Sequence, residues 1–438
     1  METLILSGGS HLNAKDGRPF GFWTATALVV GGMIGSGIFM MPASLAAFGW
    51  ASMAAWAISI AGVVSIAFAL ARLTQLLPQA NGAIEVTGTV LGEFPGVLIG
   101  WSYWVSVWSS NSAIAIAATS YLAMLMPGLA ATPFIGALTS VALIWALTLF
   151  NLAGAKRVGE FQVVTTLLKL TPLIAVIVIA ACFGSGSVEA VPSPTPDELL
   201  SGLGPAVTLT LFTLVGFEAA GVAAERVRDP ARNIMRATMA GTIVTGLLYV
   251  LVCLAFMLML PAEKVAASTA PFQLFVETYW GRAPALAIAL FAAIAAIGAL
   301  NCWVLIQGEV PLGMARAGLI PRWFAKVNGR DAPVRVLILS STLASLLVLS
   351  NANSSLGGLF QFAALLTTCA SLWLYLSICV AALMRRVAMV AAGIGVAFTL
   401  FAFWGAGYEA SGLSLVLALT GIPLYLMRSR GALAEQPA

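Results

Sequence analysis

Long apolar segments follow one another along nearly the whole chain, and they constrain the fold more than any other feature. A helix needs roughly 20 apolar residues to cross a bilayer, where only helices and closed barrels pair all their backbone groups. We therefore predict an all-α polytopic membrane protein with twelve transmembrane helices. Their expected positions are residues 20–48, 50–77, 93–126, 133–153, 159–183, 203–225, 233–260, 284–310, 333–350, 356–383, 387–407 and 411–428.

Charged side chains are too few for a soluble protein of this length. Asp, Glu, Lys and Arg make up 9% of the 438 residues, whereas soluble domains carry about a quarter. No connection between segments is long enough for a separate soluble domain, so we expect residues 1–438 to form one transmembrane domain surrounded by lipid. Tryptophans near segment ends are expected to lie at the membrane interfaces, namely Trp23, Trp50, Trp101 and Trp280.

The distribution of basic residues predicts how the chain runs through the membrane. If the N-terminus is cytoplasmic, 18 of the 21 Lys and Arg residues fall in the tails or in inner connections. Cytoplasmic loops typically carry such an excess. We expect a multi-pass protein of the cell (inner) membrane with both termini cytoplasmic. The net charge of +4 then reflects topology, and no nucleic-acid partner is expected.

A glycine-rich stretch interrupts the first segment, where residues 31–39 are Gly-Gly-Met-Ile-Gly-Ser-Gly-Ile-Phe. Each glycine weakens a helix by roughly 1 kcal/mol relative to alanine. Unwinding here would expose N–H groups near Ser36 and Gly37, which suit a carboxylate. Carbonyl groups around Gly32 to Ile34 could accept from an ammonium group. The stretch also fits a packing seam, because it contains a GxxxG pattern, and both interpretations stay open on these residues alone.

The sixth segment contains a comparable stretch, in which residues 212–218 are Phe-Thr-Leu-Val-Gly-Phe-Glu. It lies five segments after the first, and interrupted helices at corresponding places in two halves are typical of inverted-repeat transporters. No residue-level identity links the two halves, so the repeat is inferred from placement alone. The placement favours a binding site over a packing seam, with Val215 at the break as a candidate contact.

Lys169 and Glu218 are the clear charges inside the apolar segments. Charges at membrane depth normally face a cavity or a partner, and desolvation disfavours the charged form of both groups. Lys169 could lie near the carbonyls of the broken helix, replace a coupling cation and exchange a proton in each cycle. It could instead extend to the interface, as buried lysines near span ends do. Glu218 could sense protons or bridge unwound backbone groups.

Several other protein classes lack the residues that they need. His11, in the N-terminal tail, is the only histidine, and the segments contain no paired aspartates, so we expect no enzyme activity. The five cysteines lie in apolar runs without a CxxC pair, which predicts core residues and neither a metal site nor a cofactor. The sequence also has no Walker motif, no repeated polar rings and no output domain, which argues against an ATP-driven pump, a channel or a receptor.

Five separated motifs occur in an order that is found in one transporter family. They are residues 34–39 with Pro42, Tyr103 and Trp104 followed by Asn111, residues 216–218, residues 227–233, and Trp303. With them the chain resembles the amino acid–polyamine–organocation superfamily, and within it the basic amino acid/polyamine antiporters, from Phe22 to the twelfth segment. The resemblance implies the LeuT-like fold. Ten core helices (about 20–383) form two inverted five-helix repeats with helices 1 and 6 broken, and helices 11 and 12 (about 387–428) are peripheral.

The resemblance also implies roles for residues at the first break. In the family, positions matching Ser36 and Gly37 hold the substrate carboxylate, and positions matching Gly32 and Ile34 lie near the amino group. An amino acid or an amine is the implied substrate, and the resemblance favours a homodimer.

A second group of residues is implied to surround the distal end of the substrate. Asn111 matches a residue that contacts this end, and Thr367 or a neighbour is expected to complete the pocket. Phe212 matches an aromatic gate, Trp303 an aromatic that stacks on a guanidinium, and Glu218 a proton-sensitive carboxylate. Stacking on a cation contributes about 0.5–2 kcal/mol, although aromatic residues in membrane proteins are usually packing residues.

Two positions depart from the pattern of the arginine/agmatine exchangers. Phe212 stands where they have tryptophan, and Lys169 stands where they have a small neutral residue. A lysine here resembles proton-coupled permeases of the superfamily, in which it replaces a sodium ion beside the first helix. We expect a secondary amino-acid transporter that works by alternating access and exchanges a cationic amino acid and its amine. The alternative is a proton-coupled permease for neutral amino acids, which Lys169 favours.

Overall fold

The computed structural model of the chain describes residues 21–77, 80, 82–152, 168–184, 195–217, 230–330 and 332–427. Within these ranges every regular element is a helix, as the apolar segments predict. The α-helices are α1 (Phe22–Met33), α2 (Gly37–Leu45), α3 (Trp50–Leu76), α4 (Gly82–Leu91), α5 (Glu93–Leu125), α6 (Pro133–Asn151), α7 (Leu170–Phe183), α8 (Pro196–Leu214), α9 (Pro230–Met259), α10 (Ala262–Ala266), α11 (Pro271–Trp280), α12 (Arg282–Arg316), α13 (Val334–Ser350), α14 (Leu356–Met384), α15 (Met389–Leu419) and α16 (Gly421–Leu426).

Six helical stretches in the described part of the chain are long and apolar enough to span a membrane. They are α3, α6, α12, α14, residues Arg232–Met259 of α9, and Met389–Leu426. The pair α1 and α2 makes a seventh when it is counted as one bent crossing. The chain is thus a multi-pass membrane protein whose described residues form only helices and their connections.

Helix α5 forms the inner wall of the molecule. It is one continuous helix of 33 residues, buried along nearly its whole length, and it packs against α12 and α14. Two of its serines donate to neighbouring helices: Ser102 Oγ donates to Ala370 O at 2.9 Å, and Ser112 Oγ donates to Ala344 O at 3.0 Å. Polar side chains in a membrane interior are normally paired in this way across helices. The helix therefore carries polar groups into the centre of the protein.

The chain turns sharply within α15, at Gly407. This residue has φ 81° and ψ 167°, a conformation that side chains with a Cβ atom rarely adopt. Ser411 Oγ donates to Phe403 O at 2.8 Å, although eight residues advance about 12 Å along a straight helix. The turn lies near the boundary predicted between the eleventh and twelfth segments.

One of the four tryptophans predicted to lie at the interfaces does not. Trp23, Trp50 and Trp280 are exposed, whereas Trp101 is 7% exposed and donates from Nε1 to Thr420 Oγ1 at 2.8 Å. The prediction for Trp101 was wrong because α16 packs against this end of α5. A position near the end of a segment does not show whether another helix covers it.

Candidate functional site

The predicted break in the first segment is present between α1 and α2. Helix α1 ends at Met33 and α2 begins at Gly37, and the two half-helices differ in direction by 48°. The first N–H groups of α2 have no partner within their own helix. Beside them Ser36 is 1% exposed, and its Oγ atom has no hydrogen-bond partner among the described residues. A buried helix start of this kind can bind an anionic group.

Two carbonyl groups at the end of α1 already have side-chain partners. Lys169, which directly precedes α7 and is 2% exposed, donates from Nζ to Gly31 O at 3.2 Å. Tyr249 OH on α9 donates to Met33 O at 2.9 Å. The structure therefore places Lys169 inside the protein beside the broken helix, and not at its surface. The Met33 carbonyl, which lies among the groups predicted to accept from an ammonium, is engaged by Tyr249.

The break in the sixth segment lies against the first one. Helix α8 ends at Leu214, Val215 is extended with ψ 139°, and Gly216 has φ 104°. A Cβ atom on Gly216 would lie 3.0 Å from Gly32 O. The two breaks thus meet backbone to backbone, and Val215 is buried there. Glu218, which was predicted to act with this break, lies outside the described residues.

Phe212 covers the start of α2. A Cβ atom on Gly37 would lie 3.2 Å from Phe212 Cε1 and 3.0 Å from Thr213 Cγ2. The Phe212 side chain is 7% exposed and packs edge-on against Phe360, with 5.7 Å between ring centroids. The ring thereby lies beside Gly37 at the start of α2, which is compatible with the gating role predicted for it.

The three side chains expected around the distal end of a ligand lie on three helices. Asn111 on α5 is fully buried, and its Nδ2 donates to Gln307 Oε1 on α12 at 2.7 Å. Trp303 is partly buried and lies one turn before Gln307, on the same face of α12. Thr367 on α14 pairs with Ser109 Oγ at 2.9 Å. Ser109 and Asn111 are two residues apart on α5, so their side chains face different directions. Asn111 is therefore bonded to α12 from one face of α5, and Thr367 is paired with Ser109 on another face.

Gln307 belongs to this cluster although no motif pointed to it. Its side chain is fully buried, and its Nε2 donates to Ser341 Oγ on α13 at 2.9 Å. Its backbone carbonyl accepts from Trp104 Nε1 at 3.1 Å. The sequence did contain a signal for Gln307, which is an amide inside an apolar segment, one turn from Trp303. Such a group in a membrane interior normally has a polar partner.

Comparison with known proteins identifies the family of the chain. The amino acid permease family model matches residues 20–425. The cadaverine/lysine antiporter of Escherichia coli (strain K12) is 30% identical over 343 residues, which are 78% of this chain and 77% of the relative. The putrescine transporter PotE of Haemophilus influenzae is 26% identical over 427 residues, which are 94% of this chain and 98% of the relative. The chain therefore belongs to the amino acid permease family of the amino acid–polyamine–organocation superfamily.

Proposed function

We propose that this protein exchanges a cationic amino acid for an amine across the membrane by alternating access. The contact between Gly216 and the Gly32 carbonyl carries the proposal, because it joins two helix breaks at one buried place. The relatives are named for lysine and cadaverine and for putrescine. These names support exchange of cationic molecules over the alternative, proton-coupled uptake of a neutral amino acid.

The proposal includes the architecture that the resemblance implies. Twelve spans would form a core of ten helices in two inverted repeats, with the broken spans at α1/α2 and after α8, and two peripheral spans that meet at Gly407. Both termini would be cytoplasmic in the inner membrane, as the placement of basic residues favours. All 438 residues would serve one transporter domain, and the homodimer favoured by the resemblance can be tested by light scattering.

The substrate head group is assigned to the two breaks. The carboxylate would accept hydrogen bonds from the N–H groups at Ser36 and Gly37, where the Ser36 hydroxyl is buried and lacks a partner in the described part of the chain. The amino group would donate to carbonyls near Gly32 and Ile34. Val215 would line the same place from the other break.

The distal part of the substrate is assigned to side chains. Phe212 would close over the bound head group, while Trp303 would stack on the distal cation and Asn111 would accept a hydrogen bond from it. Thr367 is the least supported member, because its hydroxyl is already paired with Ser109.

Coupling to protons is assigned to Lys169, with Glu218 as a second candidate. The bond from Lys169 Nζ to Gly31 O supports this role, because loss of a proton or a change of partner at this nitrogen would act directly on the end of α1. A transporter that moves between two states needs such a group to favour one of them.

Counterflow into proteoliposomes tests the function directly. Vesicles are loaded with unlabelled lysine, ornithine, arginine, cadaverine, putrescine, agmatine, alanine or methionine, and uptake of a labelled cationic amino acid is measured with and without a pH gradient. Uptake that requires an internal cationic amino acid or amine is the expected result. Uptake that is driven by the proton gradient from empty vesicles, or that alanine and methionine support equally well, would contradict exchange.

A further inference from the structure

A chain of hydrogen bonds runs from α6 through α13 and α12 to Asn111 on α5. Thr148 Oγ1 donates to Ile144 O at 2.7 Å and lies 2.6 Å from Ser341 Oγ. Gln307 Nε2 donates to Ser341 Oγ at 2.9 Å, and Asn111 Nδ2 donates to Gln307 Oε1 at 2.7 Å. The four side chains of Thr148, Ser341, Gln307 and Asn111 are fully buried. We call them the amide relay.

The amide relay can run in two directions, which differ in the partner that donates each hydrogen bond. The number of protons that its hydroxyl groups can donate decides between them. A hydroxyl has one proton to donate, and Thr148 gives its proton to the Ile144 carbonyl. Ser341 must then donate to Thr148 and can only accept from Gln307. Gln307 therefore turns its amide nitrogen towards Ser341 and its oxygen towards Asn111. The Asn111 amide nitrogen donates to that oxygen. The remaining atom, Asn111 Oδ1, is buried and has no partner among the residues that the structure describes.

The opposite direction of the amide relay contains fewer hydrogen bonds. If Thr148 donated to Ser341, its bond to Ile144 O would be lost, and three bonds would remain instead of four. It would also leave the two N–H donors of the Asn111 amide unpaired in a buried place, which is costly. Within the described ranges the structure thus holds Asn111 with its oxygen unpaired and its nitrogen bonded to Gln307.

We propose that the amide relay makes Asn111 Oδ1 a contact that only accepts, and that it thereby selects substrates whose distal group only donates. A primary ammonium or a guanidinium meets this requirement. Trp303 lies one turn from Gln307 on α12, so an aromatic face and a hydrogen-bond acceptor would approach the same end of the ligand. Thr148, Ser341 and Gln307 are positioning residues in this scheme, which rests on the proposed function.

Ornithine and methionine sulfoxide form a suitable pair of probes. Their distal polar atoms lie equally far along the side chain, but the ornithine ammonium only donates and the sulfoxide oxygen only accepts. Equilibrium binding of labelled ornithine to the purified full-length protein, with methionine sulfoxide as competitor, gives the ratio of the two affinities. The wild-type protein should prefer ornithine.

Substitutions that make the two directions of the amide relay equal in hydrogen bonds should reduce the preference for ornithine over methionine sulfoxide. In Thr148→Val both directions contain two hydrogen bonds. In Ser341→Ala both also contain two, one of which is the bond from Thr148 Oγ1 to Ile144 O. The ratio of affinities should fall roughly fivefold in each variant. This is the effect expected when one net hydrogen bond no longer favours the direction of the relay that leaves Asn111 Oδ1 as an acceptor. Thr148→Ser keeps the hydroxyl and should keep the preference.

Thr119→Val is the matched control. Thr119 on α5 is also buried, donates to the carbonyl four residues earlier at 2.9 Å and pairs with Ser140 Oγ of α6 at 2.8 Å, but it is not part of the amide relay. Its substitution should leave the preference unchanged. An unchanged ratio in folded Thr148→Val and Ser341→Ala overturns the proposal, and so does an equal fall in Thr119→Val. Wild-type protein that shows neither ornithine binding nor counterflow of any cationic amino acid overturns the proposed function instead.

Discussion

The two parts of the candidate site offer a ligand different kinds of atoms. Where α1, α2 and α8 meet, the helices are broken, and the groups that a ligand would meet are backbone N–H and C=O groups around Ser36 and Gly216. Where α5, α12 and α13 meet, the helices are continuous, and the groups are the side chains that end at Asn111 Oδ1. We call the first the backbone site and the second the side-chain site.

This difference predicts how each part responds to substitution. Every amino acid carries the same carboxylate and amino groups, so substitutions in a backbone site assigned to them should affect all amino-acid substrates alike. It also depends on glycines, because only glycine permits the close approach between the two breaks. A side-chain site on continuous helices can change without loss of the fold, and its changes should alter the preference among substrates.

The largest effect is expected from Gly216→Ala in the backbone site. Gly216 has φ 104°, and an added Cβ atom would lie 3.0 Å from Gly32 O. The unfavourable dihedral angle costs about 1–2 kcal/mol, and the contact adds to it, so exchange of every substrate should fall roughly a hundredfold. Proteoliposome exchange rates per reconstituted protein measure this loss.

Gly407→Ala separates strain from contact. Gly407 has φ 81°, but among the described residues no heavy atom beyond its own stretch of chain lies within 4 Å of a Cβ atom built there. The substitution should lower the melting temperature and leave the exchange rate of the folded protein unchanged. Equal losses of exchange in both variants would show that general strain, and not the contact between the breaks, explains the first result.

Lys169→Ala should remove the pH dependence of exchange and lower its rate about tenfold. The substitution leaves Gly31 O without its side-chain donor, and an unpaired buried carbonyl costs about 1–3 kcal/mol. Exchange of labelled ornithine is measured across a series from acidic to alkaline pH. Lys264→Ala is the control, because Lys264 is exposed on α10. A pH profile that keeps its shape in Lys169→Ala would exclude the coupling role.

Trp303→Leu tests the side-chain site and should act on only part of the substrates. Loss of cation stacking, worth about 0.5–2 kcal/mol, should weaken ornithine binding roughly fivefold. Binding of methionine, which has no distal charge, should change little. The methionine affinity of each variant therefore serves as the control for its ornithine affinity. Trp303→Phe should retain part of the ornithine affinity. An equal loss for ornithine and methionine would assign Trp303 to packing.

The sequence was most informative about the backbone site. Glycines in the middle of an apolar segment weaken a helix wherever they occur, so the stretches around residues 34–36 and 215–217 could be singled out locally. The placement of the second stretch, five segments after the first, then favoured a binding site over a packing seam. The cost of an unpaired buried charge indicated that Lys169 would face a cavity or a partner, and the place beside the first break was one of two positions that the sequence left open.

The side-chain site could be predicted only in part. Asn111 was found through the resemblance, but its partner Gln307 is 196 residues away, and the contact depends on how α5 and α12 are rotated about their axes. Hydropathy does not encode this rotation when a helix is buried on all sides, as α5 nearly is. Trp101 was expected at an interface from its place near a segment end, which does not show that another helix covers it. Thr367 came from the resemblance, which does not show its pairing with Ser109.

The smallest effect is expected from Thr367→Val, which tests where the side-chain site ends. Ser109 Oγ donates to backbone carbonyls of its own helix at 2.8 and 3.1 Å, so Thr367 supplies the proton of the bond between the two hydroxyls. Valine has nearly the same shape, and the loss of this bond should cost about 1 kcal/mol of stability. Ornithine affinity should change no more than about twofold, since the Thr367 hydroxyl is already occupied within the protein.

Ser109→Ala should behave in the same way, and the double variant should add nothing further if the two hydroxyls act only on each other. A tenfold loss of ornithine affinity in Thr367→Val alone would extend the side-chain site to α14, and the separation of Asn111 from Thr367 on two faces of α5 would then not describe the substrate-bound protein.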